Sequence, residues 1–451
     1  AVESPPENEK LCFDPAHVYY DGPTGKYLVD AGDYIRVLAR KSPVITGVMR
    51  HFQMKDSVDT KEARECAREA VSDAEIDRHV EWSGDLAGHK KGIMRSPDGK
   101  PMLVLTSPAI PVASPGSCPV ILDLIAQAFP DDTQRNVFMG WLSGSFKAVK
   151  AGRHHPAPML CLAGDPNAGK SLMAVIVSLT LGGRTANPHS SWTGGITWND
   201  DLFGSELLLL DDCSGSTDRR ARLNFATNFK AAIYSGPVQL RKRNTTSISA
   251  RPVWRTMICC NASPESLLIL PPITPGDMDD KIILLKISKV APAIDTASAE
   301  GREKLQNQIK DELPAFVDQL EKFEIPDELS DPRAAITAWR HPELAATLEA
   351  TKPEHQLEEA LMTAIKTSPH LWDDLPATLT ASEIESKLLH RDSEVREQTR
   401  SILGNWNMAC GTYLGRLADG DSDLVTAAGI DGKKKVRLFE IQKIPVAGKR
   451  V

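Results

Sequence analysis

One loop in the chain has residue types and a spacing suited to holding phosphate groups. It runs from Gly164 to Ser171 and matches the pattern GxxxxGK[ST] throughout. Its glycines let backbone N–H groups turn inward around an anion, and the N-terminus of the next helix adds partial positive charge. Lys170 would neutralise the outer phosphates of a nucleoside triphosphate, and the Ser171 hydroxyl would ligate Mg²⁺. The predicted nucleotide-binding residues are Gly164, Asp165, Pro166, Asn167, Ala168, Gly169, Lys170 and Ser171.

Two acidic residues follow an apolar run later in the chain. The run Leu207–Leu210 is typical of a buried strand, and Asp211 and Asp212 come directly after it. Carboxylates at the end of a buried strand cost free energy unless they face a metal ion or a partner. We therefore assign Asp211 to the Mg²⁺ ligands and Asp212 to the base that polarises the attacking water, with an acidic turn as the alternative.

An asparagine occupies a similar position after another apolar run. The run Thr256–Cys260 predicts a strand that ends at Asn261. An amide there can reach the γ-phosphate or the attacking water, although asparagine also suits turns. Lys170, Asp212 and Asn261 form the predicted catalytic set. The chemistry that they predict is hydrolysis of ATP, with ATP and Mg²⁺ as cofactors.

The elements that must position these residues follow an α/β pattern. Short apolar runs at Met159–Leu162, Glu206–Leu210 and Val253–Cys260 are separated by helical stretches. Such strands predict a parallel sheet with helices on both faces. The predicted domains are a mixed and helical N-terminal region of unassigned role at 1–118, an ATPase domain with a leading helical collar at 119–325, a linker at 326–352 and a C-terminal domain at 353–451.

Composition and charge narrow the class of protein. The net charge of the 451 residues is −7, so any binding of nucleic acid must come from local basic patches. The eight cysteines form no CxxC pair, which favours reduced thiols and a cytoplasmic location. The apolar stretch Leu172–Leu181 is too short to cross a membrane, so no membrane partner is expected. The first residue is Ala rather than Met, which suggests a piece of a longer protein.

The order of these features resembles that of the superfamily 3 helicases, which are AAA+ motors of viruses, phages and plasmids. The phosphate loop, Asp211–Asp212 and Asn261 follow one another closely, with the basic segment Lys230–Arg243 between the acids and the asparagine. The likeness is greatest to the helicase part of phage and poxvirus-type primase–helicases, over roughly residues 120–290. It implies an AAA+ P-loop core, a hexameric ring of identical chains, and ATP-driven DNA translocation or unwinding in the replication of a phage, plasmid or other mobile element.

In that family, the segment before the asparagine strand forms a β-hairpin that projects into the central channel and holds single-stranded DNA. The resemblance places a rising strand at Val238–Leu240, cations near the tip and a descending strand at Thr245–Ser249. Cations that hold phosphates give an affinity that falls steeply with salt. An ordinary solvated hairpin is the alternative. The DNA-binding residues implied here are Arg241, Lys242 and Arg243.

The family also uses a cation from the neighbouring subunit, an arginine finger, to stabilise the transition state. This chain departs from the pattern, because the arginine expected after Asn261 is absent. A lysine could replace it, although an ammonium lacks the planar fork of a guanidinium. The candidates for the trans-acting residue are Lys281, Lys230, Arg251 and Arg255.

The C-terminal region is similar to the winged helix of the same subgroup. Thr380–Glu383 resembles a capping box that opens a helix, and further helices are predicted at 393–403 and 408–417 before a β-rich end. Winged helices commonly bind duplex DNA with the last helix and the wing, although others dock proteins. The basic residues predicted on the wing are Lys433, Lys434, Lys435 and Arg437, with a solvated turn as the alternative.

Two other functions stay open for the same residues. An ATP-dependent replication initiator or helicase loader would assemble with nucleotide but would not unwind processively. A nucleotide-gated switch would dock a protein through the C-terminal domain and would have no unwinding activity. Trp192 and Trp198 could stack on a nucleobase, although packing is favoured for both.

Overall fold

The computed structural model describes residues 12–32, 34–211, 219–234, 236–242, 247–273, 276–404, 406–420, 422–432 and 435–443. Asp212, Arg243, Lys433 and Lys434 lie outside these ranges, so the roles predicted for them stay predictions. The chain divides into two compact units, Ala1–His341 and Pro342–Val451, which are described separately.

The first unit begins with a mixed α/β layer. Its elements are β1 (Val18–Asp21), β2 (Lys26–Asp30), β3 (Ile35–Leu38), α1 (Lys41–Lys55), α2 (Thr60–Asp77), β4 (His79–Val80), β5 (Trp82–Gly84), β6 (Gly92–Arg95) and β7 (Pro101–Val104). They form two sheets, in the orders β3-β2-β1-β4 and β5-β7-β6. Asp59 starts α2 by accepting bonds from the next backbone N–H groups, and buried Ala63 and Ala67 let this helix pack against α1.

A five-stranded parallel sheet forms the centre of the same unit. Its strands lie in the order β14-β8-β13-β10-β9, and every neighbouring pair is parallel. The strands are apolar and almost wholly buried, as a sheet covered on both faces requires. The elements are α3 (Pro119–Ala128), α4 (Asp132–Ala151), β8 (Met159–Ala163), α5 (Lys170–Thr180), β9 (Thr185–Ala186), α6 (His189–Trp192), β10 (Leu207–Asp211), α7 (Arg219–Ile233), β11 (Val238–Leu240), β12 (Ile248–Ala250), β13 (Arg255–Cys260), α8 (Pro264–Leu267), β14 (Ile282–Lys286) and α9 (Ala299–Lys322).

The N-terminal layer is fastened to this sheet by a buried carboxylate. Glu206 is 0% exposed and accepts a bond from Gly88 N–H at 2.9 Å. It also forms an ion pair with Arg184, whose Nε lies 3.0 Å from the carboxylate. A buried charge that is both paired and hydrogen-bonded holds its surroundings tightly, because removing either partner leaves the other uncompensated. The loop at Gly88 therefore helps to hold the N-terminal layer against the central parallel sheet.

The range 326–352, expected to be a linker, contains ordered elements. A short hairpin of β15 (Ser330–Asp331) and β16 (Ala335–Ile336) packs on α4, where Ile336 is 1% exposed. Backbone bonds of 2.8 Å then join Trp339 and His341 to Leu284 on β14. The segment is ordered despite its prolines because Ile336 is buried and because edge strand β14 offers backbone groups for hydrogen bonds. Helix α10 (Pro342–Ala350) begins the second unit.

The second unit combines helices with a three-stranded antiparallel sheet. The remaining elements are α11 (Pro353–Thr367), β17 (Ala377–Thr380), α12 (Ala381–Leu388), α13 (Arg396–Leu403), α14 (Ala409–Ala418), β18 (Val425–Ile430) and β19 (Arg437–Ile441). The sheet order is β17-β19-β18. Thr380 and Glu383 form the predicted capping box at the start of α12. Three helices and a final hairpin therefore follow one another as the sequence predicts.

Candidate functional site

The predicted phosphate loop connects β8 to α5. Asn167 and Gly169 adopt φ values of 61° and 100°, in the left-handed region. A Cβ on Gly164 would lie 2.7 Å from the carbonyl oxygen of Ile287, and one on Gly169 would lie 3.0 Å from Cβ of Val290. The segment from Ile287 to Val290 therefore lies directly against the loop, and glycine is required for this close approach. The sequence pattern alone gave no sign of this support.

Lys170 lies at the centre of the loop and is 8% exposed. Its Nζ donates to the carbonyl oxygens of Gly164 and Asp165 at 3.1 and 2.8 Å, and to Oδ1 of Asn261 at 3.1 Å. These three acceptors are neutral, so they orient the ammonium group without cancelling its charge. A phosphate placed in the loop would meet that charge at short range.

Ser171 and Asp211 lie together beside the loop. The Ser171 hydroxyl donates to Oδ2 of Asp211 at 2.9 Å, across the ends of α5 and β10. A hydroxyl and a carboxylate are oxygen ligands of the kind that Mg²⁺ takes, and this ion completes its shell with phosphates and waters. Among the described residues, no group of three or more His, Cys, Asp or Glu side chains could hold a metal alone. One hydroxyl and one carboxylate fit Mg²⁺ that reaches the site together with a nucleotide.

Asn261 joins the two parts of the site. It follows β13, which lies between β8 and β10, with Cys260 opposite Ala163 and Cys259 opposite Asp211. Since parallel strands end at the same edge, this order brings Lys170, Asp211 and Asn261 together. The sheet thus places the predicted loop lysine, metal ligand and asparagine at one edge. The arrangement can hold a triphosphate, a divalent cation and an attacking water.

Two of the trans-acting candidates lie in ion pairs within the chain. Lys281 pairs with Asp280, and its Nζ lies 5.5 Å from the ring centre of Tyr234. Lys230 donates to Asp277 at 2.6 Å. The carbonyl of Lys281 accepts from Met159 N–H at the start of β8, which is the sheet edge opposite the phosphate loop. Lys281 is therefore remote from its own chain's nucleotide site.

The other two candidates differ sharply in exposure. Arg251 is exposed, and its carbonyl lies 2.8 Å from Nε2 of His89. Arg255 is 1% exposed, and it donates to the Ser145 hydroxyl at 3.1 Å and to the Trp254 carbonyl at 2.7 Å. Burial lowers the pKa of Arg255 to about 10. A guanidinium held inside its own chain is not presented to a neighbour, so we do not carry Arg255 forward as a finger.

The basic hairpin predicted before β13 consists of β11 and β12. The strands pair antiparallel, with Val238 opposite Ala250 and Leu240 opposite Ile248. Within the described residues the second strand is Ile248–Ala250, where Ile248 and Ala250 are buried on one face. Thr245 and Thr246 of the predicted strand Thr245–Ser249 lie outside the described residues. The cations Arg241 and Lys242 directly follow β11.

A loop before β10 supports this hairpin through one side chain. Asn199 Oδ1 accepts from Arg241 N–H at 2.8 Å, and its Nδ2 donates to the Gln239 carbonyl at 3.1 Å. The adjacent Trp198 is 45% exposed, whereas Trp192 is 4% exposed and packs on Phe225 at 5.3 Å. The packing expected of both tryptophans is thus confirmed for Trp192, whereas Trp198 is covered over only part of its surface. No pattern in the sequence predicts the contact between Asn199 and the hairpin.

The basic residues near the C-terminal hairpin are only partly available as free cations. Lys435 is exposed and has a φ of 53°. Arg437 forms an ion pair with Asp419, which lowers the pKa of the Asp419 carboxyl and raises that of the Arg437 guanidinium. Trp406 and Met408, at the start of α14, are 41% and 71% exposed. The second unit therefore carries both exposed charged residues and exposed apolar residues.

Comparisons with known proteins give a fold and no family. No protein-family description matches the chain, and no curated protein matches it. Two apo structures of the NrS-1 C-terminal region are similar to it, at 12% and 13% sequence identity and TM-scores of 0.54 and 0.55. Each alignment covers 94% of this chain and 96% or 95% of the other. An active SCCmec type IV Cch helicase aligns with a TM-score of 0.29, which is too low to support an argument.

The likeness to the NrS-1 C-terminal region therefore shows that almost the whole chain shares its fold. Across the described part of the chain, no helix has the length and apolarity needed to cross a membrane.

Proposed function

We propose that the chain is an ATP-hydrolysing DNA helicase or translocase of the superfamily 3 type, built on an AAA+ core. The observation that carries the proposal is the convergence of Lys170, the Ser171–Asp211 pair and Asn261 at one edge of a parallel sheet. A basic hairpin in the same unit supports a motor over a simple nucleotide-binding protein. Its role would be replication of a phage, plasmid or other mobile element, in the cytoplasm.

Each residue at the sheet edge has a defined task in this proposal. The loop N–H groups and Lys170 hold the β- and γ-phosphates, and Ser171 with Asp211 holds Mg²⁺. The bound Mg²⁺ supplies charge neutralisation between the phosphates. Asp212 accepts the proton of the attacking water, while Asn261 orients that water and keeps Lys170 in place.

The DNA contact would use the hairpin and its supporting loop. Arg241, Lys242 and Arg243 would hold phosphates of single-stranded DNA in a central channel. Trp198 offers an exposed ring next to Asn199, and stacking of a base on an aromatic ring does not depend on sequence. Cations and an aromatic platform together favour a single strand over a duplex.

Oligomerisation is required if a cation must reach each site in trans. We propose a hexameric ring of identical chains in which a cation of each chain faces the neighbour's γ-phosphate. Lys281 is the first candidate for this cation, and Lys230 and Arg251 are the alternatives. The position of Lys281 at the sheet edge opposite its own phosphate loop supports this assignment. Its side chain is 11% exposed and pairs with Asp280, so it must turn outward when the ring forms. A ring also creates the channel that the hairpin would enter.

The C-terminal unit is proposed to be a winged helix. Its order of helices and strands, with the sheet β17-β19-β18, supports this proposal. Duplex DNA would contact α14 and the hairpin that carries Lys433, Lys434, Lys435 and Arg437. Protein docking is the second candidate, favoured by the exposed Trp406 and Met408.

The decisive experiment compares ATP hydrolysis with and without single-stranded DNA and measures unwinding of a forked duplex. Wild type should be stimulated by DNA and should separate the strands, and Lys170→Ala should do neither. Lys310→Ala, an exposed lysine on α9, is the matched control and should behave as wild type. Hydrolysis without DNA stimulation or unwinding would contradict the motor. ATP-dependent assembly alone would then favour an initiator or loader, and absence of DNA binding would favour a switch.

A mixing experiment tests the trans-acting lysine. Lys170→Ala and Lys281→Ala should each be inactive as pure proteins. Combined in equal amounts, they should regain about a quarter of wild-type ATP hydrolysis. At roughly one interface in four, an intact nucleotide site then faces an intact lysine. No recovery in mixed particles of confirmed size would exclude Lys281 as the finger.

A further inference from the structure

A small cavity lies at the amino-terminal end of β13, away from the nucleotide site. It is enclosed by α4, the loop before β8, and β16, and its lining includes Ser145, His155, Arg255 and Ala335. Its volume is about 10 Å³, which is room for a single occupant of about the size of a water molecule. No lining residue is acidic.

The main polar group of this lining is a wholly buried cation. Arg255 is 1% exposed, and its hydrogen bonds go to two neutral acceptors, the Ser145 hydroxyl and the Trp254 carbonyl. Burial lowers its pKa to about 10, so the guanidinium is still charged at neutral pH. Among the described residues, no carboxylate forms an ion pair with it or affects its pKa.

A buried charge without a counter-ion is costly, by several kcal/mol in proteins. The phenol of Tyr234 interacts with Arg255, but burial and Asp280 raise the pKa of that phenol, so it is neutral and cannot balance the charge. The pKa of His154 is lowered first by burial and then by the positive charges of Arg255 and Arg251. The local charge therefore calls for an anion.

The donors and acceptors of the lining favour an anion over a water molecule. Arg255 and the Ser145 hydroxyl present N–H and O–H groups, whereas the carbonyls of Trp254 and Pro156 already accept bonds from Arg255 and His155. A water molecule must donate as well as accept. A monatomic anion only accepts, and it neutralises the guanidinium.

We propose that this cavity is a binding site for a halide ion, chloride in the cell, held by Arg255 and Ser145. The ion stabilises the join between β13, α4 and the hairpin of β15 and β16. Close packing bounds one side of it, since a Cβ on Gly140 would lie 2.7 Å from Ile336 Cδ1 and one on Gly144 3.3 Å from Ala335 Cβ. A chloride ion is somewhat larger than a water molecule, so the lining must move apart slightly to hold it, and polyatomic anions such as phosphate exceed the cavity.

Two measurements on the full chain test this site. Crystals grown with sodium bromide should show an anomalous peak beside the Arg255 guanidinium. In solution, the unfolding temperature should be higher in sodium chloride than in sodium gluconate at equal ionic strength. At ten times the half-saturating chloride concentration, the folded-to-unfolded ratio should rise about elevenfold.

Variants separate a specific site from general salt effects. Arg255→Met should abolish the difference between chloride and gluconate, and a buried apolar replacement of this kind is often tolerated. Ser145→Ala keeps the cation and removes one donor, so half-saturation should need about tenfold more chloride. It serves as the second test if Arg255→Met does not fold.

No bromide peak at Arg255 in well-diffracting crystals would overturn the proposal. A peak with no chloride-specific change in unfolding would mean an adventitious ion only, and would also overturn it. An unchanged chloride response in Ser145→Ala and Arg255→Met would do the same.

Discussion

Replacement of Asn261 by alanine separates catalysis from nucleotide binding at the proposed site. The change removes the Oδ1 that accepts from Lys170 Nζ at 3.1 Å, and the amide N–H₂ that would hold the attacking water. Gly164 and Asp165 keep the ammonium in the loop. A hydrogen bond to a charged group contributes about 1.5–3 kcal/mol, so kcat should fall roughly 10- to 150-fold. KM for ATP should change little, because the loop itself is intact.

The isosteric change Asn261→Asp gives a different expected result. Its carboxylate would pair with Lys170 and cancel the charge that the phosphates need. KM should then rise as well as kcat fall. Steady-state ATP hydrolysis with a coupled phosphate assay measures both constants. Asn407→Ala, at an exposed asparagine in the second unit, is the matched control and should leave both unchanged.

Two results would refute this reasoning. A loss of less than threefold in Asn261→Ala would mean that the amide takes no part in the transition state. An equal rise in KM for both variants would mean that Asn261 only shapes the loop. Since Asn261 is exposed, unfolding midpoints should stay within about 0.5 kcal/mol of wild type, which excludes a folding effect.

Other predictions address DNA binding and stability. Trp198→Ala should weaken single-stranded DNA binding by about 1–3 kcal/mol, measured by fluorescence anisotropy, without changing ATP hydrolysis in the absence of DNA. An unaltered affinity would mean that no base stacks on Trp198. Arg241→Gln should lower the slope of log affinity against log salt by about 0.7. Arg184→Gln should destabilise the chain by about 3–5 kcal/mol in urea, because the wholly buried Glu206 carboxylate would lose its ion-pair partner. His154 has a lowered pKa in the folded chain, so protonation favours unfolding: stability should fall as pH drops below about 6.5, and His154→Asn should flatten that fall.

Much of the fold could be predicted because local signals agreed with packing. The capping box at Thr380, the helices expected at 393–403 and 408–417, and the apolar run that became β13 each formed close to the expected bounds. At the site, the phosphate-loop residues could be predicted from the local sequence pattern. The meeting of the strand ends could be predicted because parallel strands end at the same edge of a sheet. The contact between Lys170 and Asn261 follows from that rule once β13 lies beside β8.

What could not be predicted depends on contacts between residues far apart in sequence. Nothing near Arg255 signals that it becomes buried against Ser145 on α4, so the sequence allowed it as an exposed finger. Trp198 is exposed next to Asn199, which bonds to the hairpin across about 40 residues of sequence, and no periodicity indicates this contact. The hairpin β15–β16 packs through Ile336 into space left by Gly140, in a range where prolines suggest a linker.

If Lys281 is the trans-acting cation, hydrolysis of ATP needs a second copy of the chain, because the sheet separates Lys281 from its own phosphate loop. Lys281 lies at the start of β14 and bonds to Met159 at the start of β8, whereas the phosphate loop follows Ala163 at the strand's other end. Strand residues rise about 3.3 Å each, so the two edges are roughly 13–16 Å apart, far beyond the reach of one lysine side chain. If Lys281 stabilises a transferring phosphate, that phosphate must belong to another chain. A monomer that hydrolyses ATP at the rate of the assembled particle would therefore exclude Lys281 and leave Lys170 as the only cation assigned to the phosphates within the described residues.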